Sequence, residues 1–160
     1  RVMFHLVLVH TDITPNPGNV IRLAATTSCA LHLIEPLGFS LEDADLRRAG
    51  VDYWDEVDLW VHRGWRYFRE AVSSERCWYF SARGTQSLWE ARIPDGSCLV
   101  FGNEGDGLPA RILEKHPERV LRIPMSGSVR SLNLATAAGI AVYDVLRSID
   151  HNRIKAGVTA

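Results

Sequence analysis

The chain has 160 residues, of which 46% are hydrophobic and 23% are charged, and its formal net charge is -1. This length suits one compact domain with a sizeable core, so we expect residues 1–160 to form a single domain. The nearly neutral charge excludes a globally basic protein that coats nucleic acid, although it leaves room for a local basic face.

The composition also gives expectations about metals and compartment. The three cysteines are far apart and each lies among apolar residues, a setting typical of reduced thiols in a cytosolic core. Neither they nor the six histidines show metal-ligand spacing. The most apolar stretch, 132–146, is interrupted by Asn133 and Asp144 and is too short to span a bilayer. No leader-like segment opens the sequence, so we expect a cytoplasmic protein without a metal or a membrane partner.

Apolar runs rich in β-branched residues alternate with segments of helical spacing from end to end. The predicted strands are 4–9, 30–35, 56–61, 77–82, 97–102 and 119–124. One helix is predicted directly after "PNPGN" (15–19), and three more are predicted at 41–50, 64–74 and 131–149. This alternation predicts an α/β fold with a mainly parallel sheet, in which ligands bind at the carboxyl ends of the strands. A site is therefore expected in the loops 10–18, 83–87, 102–109 and 124–130.

The first motif is "TPNPGNVIR" (14–22). Asn16 before Pro17 is typical of a helix start, because the amide caps free N–H groups and proline fits the first turn. Asn19 and Arg22 lie on one helix face near that start, where they can bind an anion such as phosphate. An exposed polar face is the alternative interpretation.

The second motif is "FGNEGDGLP" (101–109), in which Glu104 lies among three glycines. Glycines allow backbone conformations that other residues avoid and let a ligand approach the main chain. The loop has no basic residue, so a neutral or cationic ligand suits it better than a triphosphate. A glycine-rich turn before a helix that begins at Pro109 is the alternative.

The third motif is "IPMSGSVRSLNLATAAGIAVYDVLR" (123–147). Ser131 is interpreted as a possible helix cap, and Asn133 as a polar residue inside an apolar helix, where it needs a partner. A helix with so much apolar surface must be buried on more than one side, and we expect its own domain and another subunit to cover it. No nucleophile–histidine pair is indicated and G-x-S-x-G is absent. His5 and His32 are interpreted as core or edge residues of strands.

In this order and spacing, the three motifs resemble the signature motifs of the SPOUT RNA 2'-O-methyltransferases. Within that family the short length, "HLIEPLGF" (32–39) and "LRRAGVDYW" (46–54) resemble the tRNA (cytidine/uridine-34-2'-O)-methyltransferase subgroup. The resemblance spans residues 4–149. It implies a homodimer that binds the tRNA anticodon stem-loop, and a chain with a deep trefoil knot near its C-terminus.

The resemblance also implies the cofactor and the site residues. S-adenosyl-L-methionine would bind in the knot and leave as S-adenosyl-L-homocysteine. Its implied contacts are Phe80, Gly102, Ile123, Met125, Ser131, Leu132 and Leu134. The implied substrate and catalytic residues are Arg22, Asn16, Glu104, Ser131 and Asn133.

Methyl transfer depends strongly on alignment of the ribose 2'-oxygen with the methyl carbon. Arg22 is interpreted as a phosphate clamp and as electrostatic support for the developing alkoxide, because a guanidinium hardly ever loses its proton. Two residues depart from the family's pattern: Asn103 stands where proline is frequent, and Asp106 stands where a basic residue is often found. The candidates for gripping RNA are Arg47, Arg48, Arg83 and Arg130.

Three other functions stay open at this stage. One is 2'-O-methylation of a different tRNA or rRNA site, since the catalytic motifs are shared. Another is a knotted dimer that binds RNA without turnover. A Rossmann-type oxidoreductase is the weakest, because no G-x-G-x-x-G follows the first strand.

Overall fold

The structure is a computed structural model that describes residues 4–12, 16–40, 55–129 and 131–159. The strands are β1 (His5–Val9), β2 (Ala30–Ile34), β3 (Leu59–His62), β4 (Cys77–Phe80), β5 (Gln86–Ser87), β6 (Cys98–Phe101) and β7 (Val120–Arg122). The α-helices are α1 (Asn16–Thr27), α2 (Trp65–Ala71), α3 (Ala110–Leu113) and α4 (Leu134–Thr159). Among these helices none is long and apolar enough to cross a membrane.

The strands form one sheet in the order β3-β2-β1-β6-β4-β7-β5, and every strand pair in it is parallel. This confirms the predicted α/β fold with a mainly parallel sheet. Strand β6 lies between β1 and β4, so the loops that follow β1, β4, β6 and β7 emerge at the same edge. The trefoil knot stays a prediction.

Both faces of the sheet are covered, which explains why the strands read as continuous apolar runs. Alternate residues of β1 point to opposite faces: Leu6 and Leu8 belong to the core under α1 and α4, whereas Val7 and Val9 belong to the core under α2 and α3. Helices thus pack on both faces of the sheet whose carboxyl edge carries the candidate site.

The clearest differences from the sequence prediction concern two strands and the last helix. The third strand covers 59–62 instead of 56–61, and the two-residue strand β5 was not predicted. The last helix begins at Leu134 rather than at 131 and continues to Thr159. The predicted helix 41–50 lies outside the described residues.

A chain of three histidines crosses β1, β2 and β3 on the face that packs against α2. His5 Nδ1 lies 3.0 Å from His32 Nε2, and His32 Nδ1 lies 2.9 Å from His62 Nε2. At the other end, Arg76 Nη2 lies 3.3 Å from His5 Nε2. His32 is only 5% exposed, and the ring of Phe68 contacts it edge-on. We call His5, His32 and His62 the histidine chain.

Candidate active site

A cavity of about 290 Å³ opens at the carboxyl ends of β4, β6 and β7. Its walls come from the ends of these strands, the loops that follow them and the start of α4. Every predicted cofactor contact lines it: Phe80, Gly102, Ile123, Met125, Ser131, Leu132 and Leu134. The fold thus brings together residues from four separate sequence segments, as expected for an α/β fold in which ligands bind at the carboxyl ends of the strands.

The cavity combines apolar surface with negative charge. The rings of Phe80 and Phe101 stack with their centroids 4.6 Å apart, and both residues line it. Glu104 and Asp106, in the glycine-containing loop, line it with two carboxylates, and Arg83 adds one guanidinium. An apolar pocket with a few polar groups suits an adenosyl moiety, and the carboxylates suit a sulfonium cation. The residues present therefore fit S-adenosylmethionine.

The loop after β6 closes on itself through its backbone. Asn103 N donates to Gly107 O at 3.2 Å, and Gly107 N donates to Asn103 O at 2.9 Å. Gly107 has a φ of +70°, and a Cβ added at Gly102 would lie 2.2 Å from the Gly107 carbonyl carbon. Gly105 meets neither constraint. The prediction of unusual backbone conformations thus holds at Gly107, whereas Gly102 is required because two backbone segments pack closely.

Glu104 connects the cavity to the loop after β1. Its Oε1 accepts a hydrogen bond from Asp12 N at 3.0 Å, across 92 positions of sequence. That loop leads to α1, where the predicted residues Asn16 and Arg22 lie. Arg22 is exposed and does not line the cavity.

The interpretation of the start of the last helix is wrong in one respect. Asn133 is the residue that caps α4: its Oδ1 accepts from Thr136 N at 3.2 Å, and its carbonyl accepts from Ala137 N at 2.9 Å. It therefore precedes the helix instead of lying inside it, because an amide side chain satisfies the free N–H groups of a first turn well. Ser131 lies before this cap and lines the cavity, whereas Asn133 does not.

The candidate RNA-binding arginines are only partly placed. Arg83 is exposed and lines the cavity, while Arg47, Arg48 and Arg130 lie outside the described residues. Within the described part of the chain, no group of His, Cys, Asp or Glu residues could hold a metal ion. No sequence motif indicates a functional role for Asp12, whose bond to Glu104 joins residues far apart in the chain.

Comparison with known proteins agrees with this geometry. Residues 3–143 match the model of the SpoU rRNA Methylase family. A protein of Saccharophagus degradans named tRNA (cytidine(34)-2'-O)-methyltransferase is 47% identical over 148 residues, which cover 92% of this chain and 96% of the relative. A solved structure described as "Structural insights into the 2-OH methylation of C/U34 on tRNA" is 50% identical, with a TM-score of 0.87 and coverage of 91% and 95%.

A more distant structure shares the fold. The SpoU methyltransferase AviRb from Streptomyces viridochromogenes, solved in complex with AdoMet, is 20% identical, with a TM-score of 0.81. The match covers 92% of this chain and 61% of that one. The resemblance that the three motifs carry is thus confirmed, and the chain belongs to the SpoU methylase family.

Proposed function

We propose that this protein uses S-adenosyl-L-methionine to methylate the ribose 2'-hydroxyl of the wobble nucleotide, cytidine or uridine 34, of tRNA. The observation that carries the proposal is the cavity at the carboxyl edge, whose walls unite the predicted cofactor contacts beside Glu104 and Ser131. The name of the Saccharophagus relative, which is alike over nearly its whole length, supports the choice of nucleotide. The AdoMet complex of AviRb, which shares the fold, supports the cofactor.

The cofactor would supply a methyl group on a sulfonium. The protein would align the ribose 2'-oxygen with the methyl carbon and stabilise the developing alkoxide. Glu104, held in place by the Asp12 N–H, presents a carboxylate that favours a cation in the cavity. Arg22 clamps the phosphate beside the target ribose and stabilises the developing alkoxide. Glu104, Ser131 and Asn133 orient the ribose and the cofactor, and Asn16 belongs with Arg22 to the substrate side. Such positioning supplies much of the rate of a transfer between aligned groups.

The proposal includes a homodimer, a single methyltransferase domain over residues 1–160 and the trefoil knot. Helix α4 carries large apolar side chains on its outer surface: Ile140 is 38% exposed and Tyr143 is 50% exposed. Such residues are typical of a surface that another subunit covers. We also propose that the protein acts in the cytoplasm on the tRNA anticodon stem-loop.

The direct test is to incubate the protein with methyl-labelled S-adenosylmethionine and total tRNA that lacks wobble modifications. Digestion to nucleosides and mass spectrometry then locate the label. We expect label on the ribose of nucleotide 34. Label at another nucleotide would contradict the site but keep the chemistry. No label, despite cofactor binding by calorimetry, would favour an RNA-binding protein without turnover.

The division of roles predicts that Arg22→Ala abolishes methylation while cofactor binding survives. Arg22 is exposed on α1 and does not line the cavity, so its loss removes a substrate contact and not a cofactor contact. Calorimetry with S-adenosylmethionine and a tRNA methylation assay measure the two properties separately. Arg66→Ala is the control, because Arg66 is an exposed residue of α2 that pairs with Glu70 at 3.5 Å. Equal loss of binding and methylation in Arg22→Ala would contradict the assignment.

A further inference from the structure

The side chain of Asn103 uses all of its hydrogen-bonding capacity. Its Nδ2 donates to His10 O at 2.8 Å and to Asp12 Oδ2 at 2.5 Å, while its Oδ1 accepts from Gly105 N at 2.8 Å and Asp106 N at 3.1 Å. An amide has two N–H donors and an oxygen with two lone pairs, so no capacity is left over. Its orientation is fixed too, because carbonyl and carboxylate oxygens only accept and backbone N–H groups only donate.

These bonds join two loops that are distant in sequence. Asp12 is held at two points: its carboxylate accepts from Asn103, and its N–H donates to Glu104 Oε1. The contact from Asn103 to His10 O adds a third bond between the same loops. We call this set, which consists of His10, Asp12, Asn103 and Glu104, the loop clamp.

The backbone of the loop after β1 is fixed from its other side as well. Gly38, in the loop after β2, donates its N–H to Thr11 O at 2.9 Å. A Cβ at Gly38 would lie 2.6 Å from Asp12 Cα, so the two backbones touch. His10 turns the chain with a φ of +59°, a conformation that residues other than glycine seldom adopt. Asp12 thus has a definite position, and its bond to Asn103 transmits that position to the cavity.

The side chain of Asn103 is not needed to close its own loop. Two backbone bonds between Asn103 and Gly107 already do so. The Gly105 and Asp106 N–H groups belong to exposed residues and can be hydrated without the side chain. The Asn103 Nδ2 instead attaches the loop to His10 O and to the Asp12 carboxylate.

We propose that Asn103 is a positioning residue for the methyl transfer. Through Asp12 it fastens the loop that leads to Asn16 and Arg22 against Glu104 at the cavity, and so fixes the substrate side of the site relative to the cofactor side. This inference rests on the proposed function. It predicts that Asn103 matters more for methyl transfer to tRNA than for affinity to the cofactor.

The test compares Asn103→Ala and Asn103→Asp with the wild type in kcat/KM for tRNA and in Kd for S-adenosylmethionine. Asn103→Asp keeps the Oδ1 acceptor but turns a second oxygen toward the carboxylate of Asp12, so the two groups repel. Asn103→Ala removes the amide without adding charge. We expect kcat/KM to fall by at least about tenfold in both, the factor that matches one lost hydrogen bond to a charged group. The Kd should change by less than about threefold.

A double variant tests whether the effect passes through Asp12. Combining Asn103→Asp with Asp12→Asn restores the donor and acceptor between positions 103 and 12 in the reversed order, but it does not restore the bond to His10 O. We therefore expect kcat/KM in the double variant to recover part of the loss and to exceed that of Asn103→Asp. Glu114→Gln is the control, because Glu114 is an exposed residue at the end of α3 that does not line the cavity. Equal losses of cofactor affinity and kcat/KM, or an unchanged kcat/KM in Asn103→Ala, would overturn the proposal.

Hydrogen exchange separates this proposal from the proposed function. The Asp12 N–H should exchange faster in Asn103→Ala than in the wild type, because its bond to Glu104 depends on the position of the loop. Unchanged exchange at Asp12 would overturn the loop clamp whatever the activity. A wild type that binds the cofactor but does not methylate tRNA would contradict the proposed function, and the exchange result would still decide whether Asn103 holds the loop.

Discussion

The loop clamp and the histidine chain both join segments that are distant in sequence, but they differ in burial and in what they connect. The histidine chain links three neighbouring strands, and its central residue is 5% exposed. The loop clamp links loops at the carboxyl edge, and Asn103 and Glu104 are only partly buried. The strands would stay in register without the chain, because their backbones pair directly. The loops after β1 and β6 are joined by the side-chain bonds of the clamp, and the loop after β1 is also held by bonds from the Gly38 N–H to Thr11 O and from the His10 N–H to Ile34 O. A polar side-chain network therefore has more influence on the relative position of two loops than on that of two strands whose backbones already pair.

The histidine chain has a direction that Arg76 sets. A guanidinium can only donate, so His5 Nε2 accepts and the proton of His5 is on Nδ1. His5 Nδ1 then donates to His32 Nε2, which places the proton of His32 on Nδ1, from which it is donated to His62 Nε2. All three neutral rings thus carry the proton on Nδ1. Every contact in the chain then pairs one donor with one acceptor.

The largest effect is expected from a change in the glycine loop. Gly102→Ala would place a Cβ 2.2 Å from the Gly107 carbonyl carbon, so the backbone of the loop must move. Overpacking of this kind typically costs 1–3 kcal/mol, and we expect S-adenosylmethionine affinity to fall roughly ten- to a hundredfold. Calorimetry measures it.

Gly105→Ala is the matched control for this prediction. Its Cβ would lie 3.4 Å from Asn103 Oδ1, a contact that a small shift can relieve, and its φ is not in the left-handed region. We expect affinity close to that of the wild type. Equal losses in the two variants would show that the close approach at Gly102 does not shape the cavity.

The next effect concerns acid stability and belongs to the histidine chain. Burial, together with the nearby His5, His62 and Arg76, lowers the pKa of His32 to about 3 from its usual 6.5. The unfolded chain therefore binds a proton at this residue more tightly than the folded protein does, and the free energy of unfolding falls as the pH falls below 6.5. Between pH 6.5 and about 4.5, His32 alone should cost roughly 2–3 kcal/mol.

Urea unfolding at a series of pH values measures this slope. Burial also lowers the pKa of His62, and burial with Arg76 lowers that of His5 while Asp58 opposes the shift, so both add to the loss in acid. His32→Gln should flatten the slope by up to one proton. The same slope in His32→Gln and the wild type would refute the role of His32.

The sequence predicts the strands well and the networks poorly, for physical reasons. Runs such as "FHLVLV" identify β1 because parallel strands are apolar on both faces, while β5 has only two residues and no period to detect. The sequence favours a position for Asn133 inside the last helix, because its apolar neighbours continue the helical pattern. In the structure its amide caps the first turn, so the helix begins after it. His5, His32 and His62 are 27 and 30 positions apart, and only strand order makes them neighbours.

The same limit applies to the loop clamp. The motif "FGNEGDGLP" identified Glu104 as a site residue, because a carboxylate among glycines is a local signal. At Asn103, directly before it, the sequence shows only a departure from the family's pattern. Its partner Asp12 lies 91 positions away, and no local pattern connects the two.

The smallest effect is expected from Arg76, and it tests the direction of the histidine chain. Arg76→Met keeps much of the side chain but removes the donor to His5, so His5 Nε2 no longer has to accept and the second tautomer becomes accessible. The free energy of unfolding should fall by about 1 kcal/mol, partly because Arg76 also donates to Gly96 O. Nitrogen-15 NMR of the imidazoles should show Nδ1 protonation in the wild type and mixed protonation in the variant, while Arg63→Met, which changes an exposed arginine outside the chain, should match the wild type. Since neutral imidazoles can be ordered in either direction, identical tautomers in Arg76→Met and the wild type would show that the strands, and not the guanidinium, select the direction.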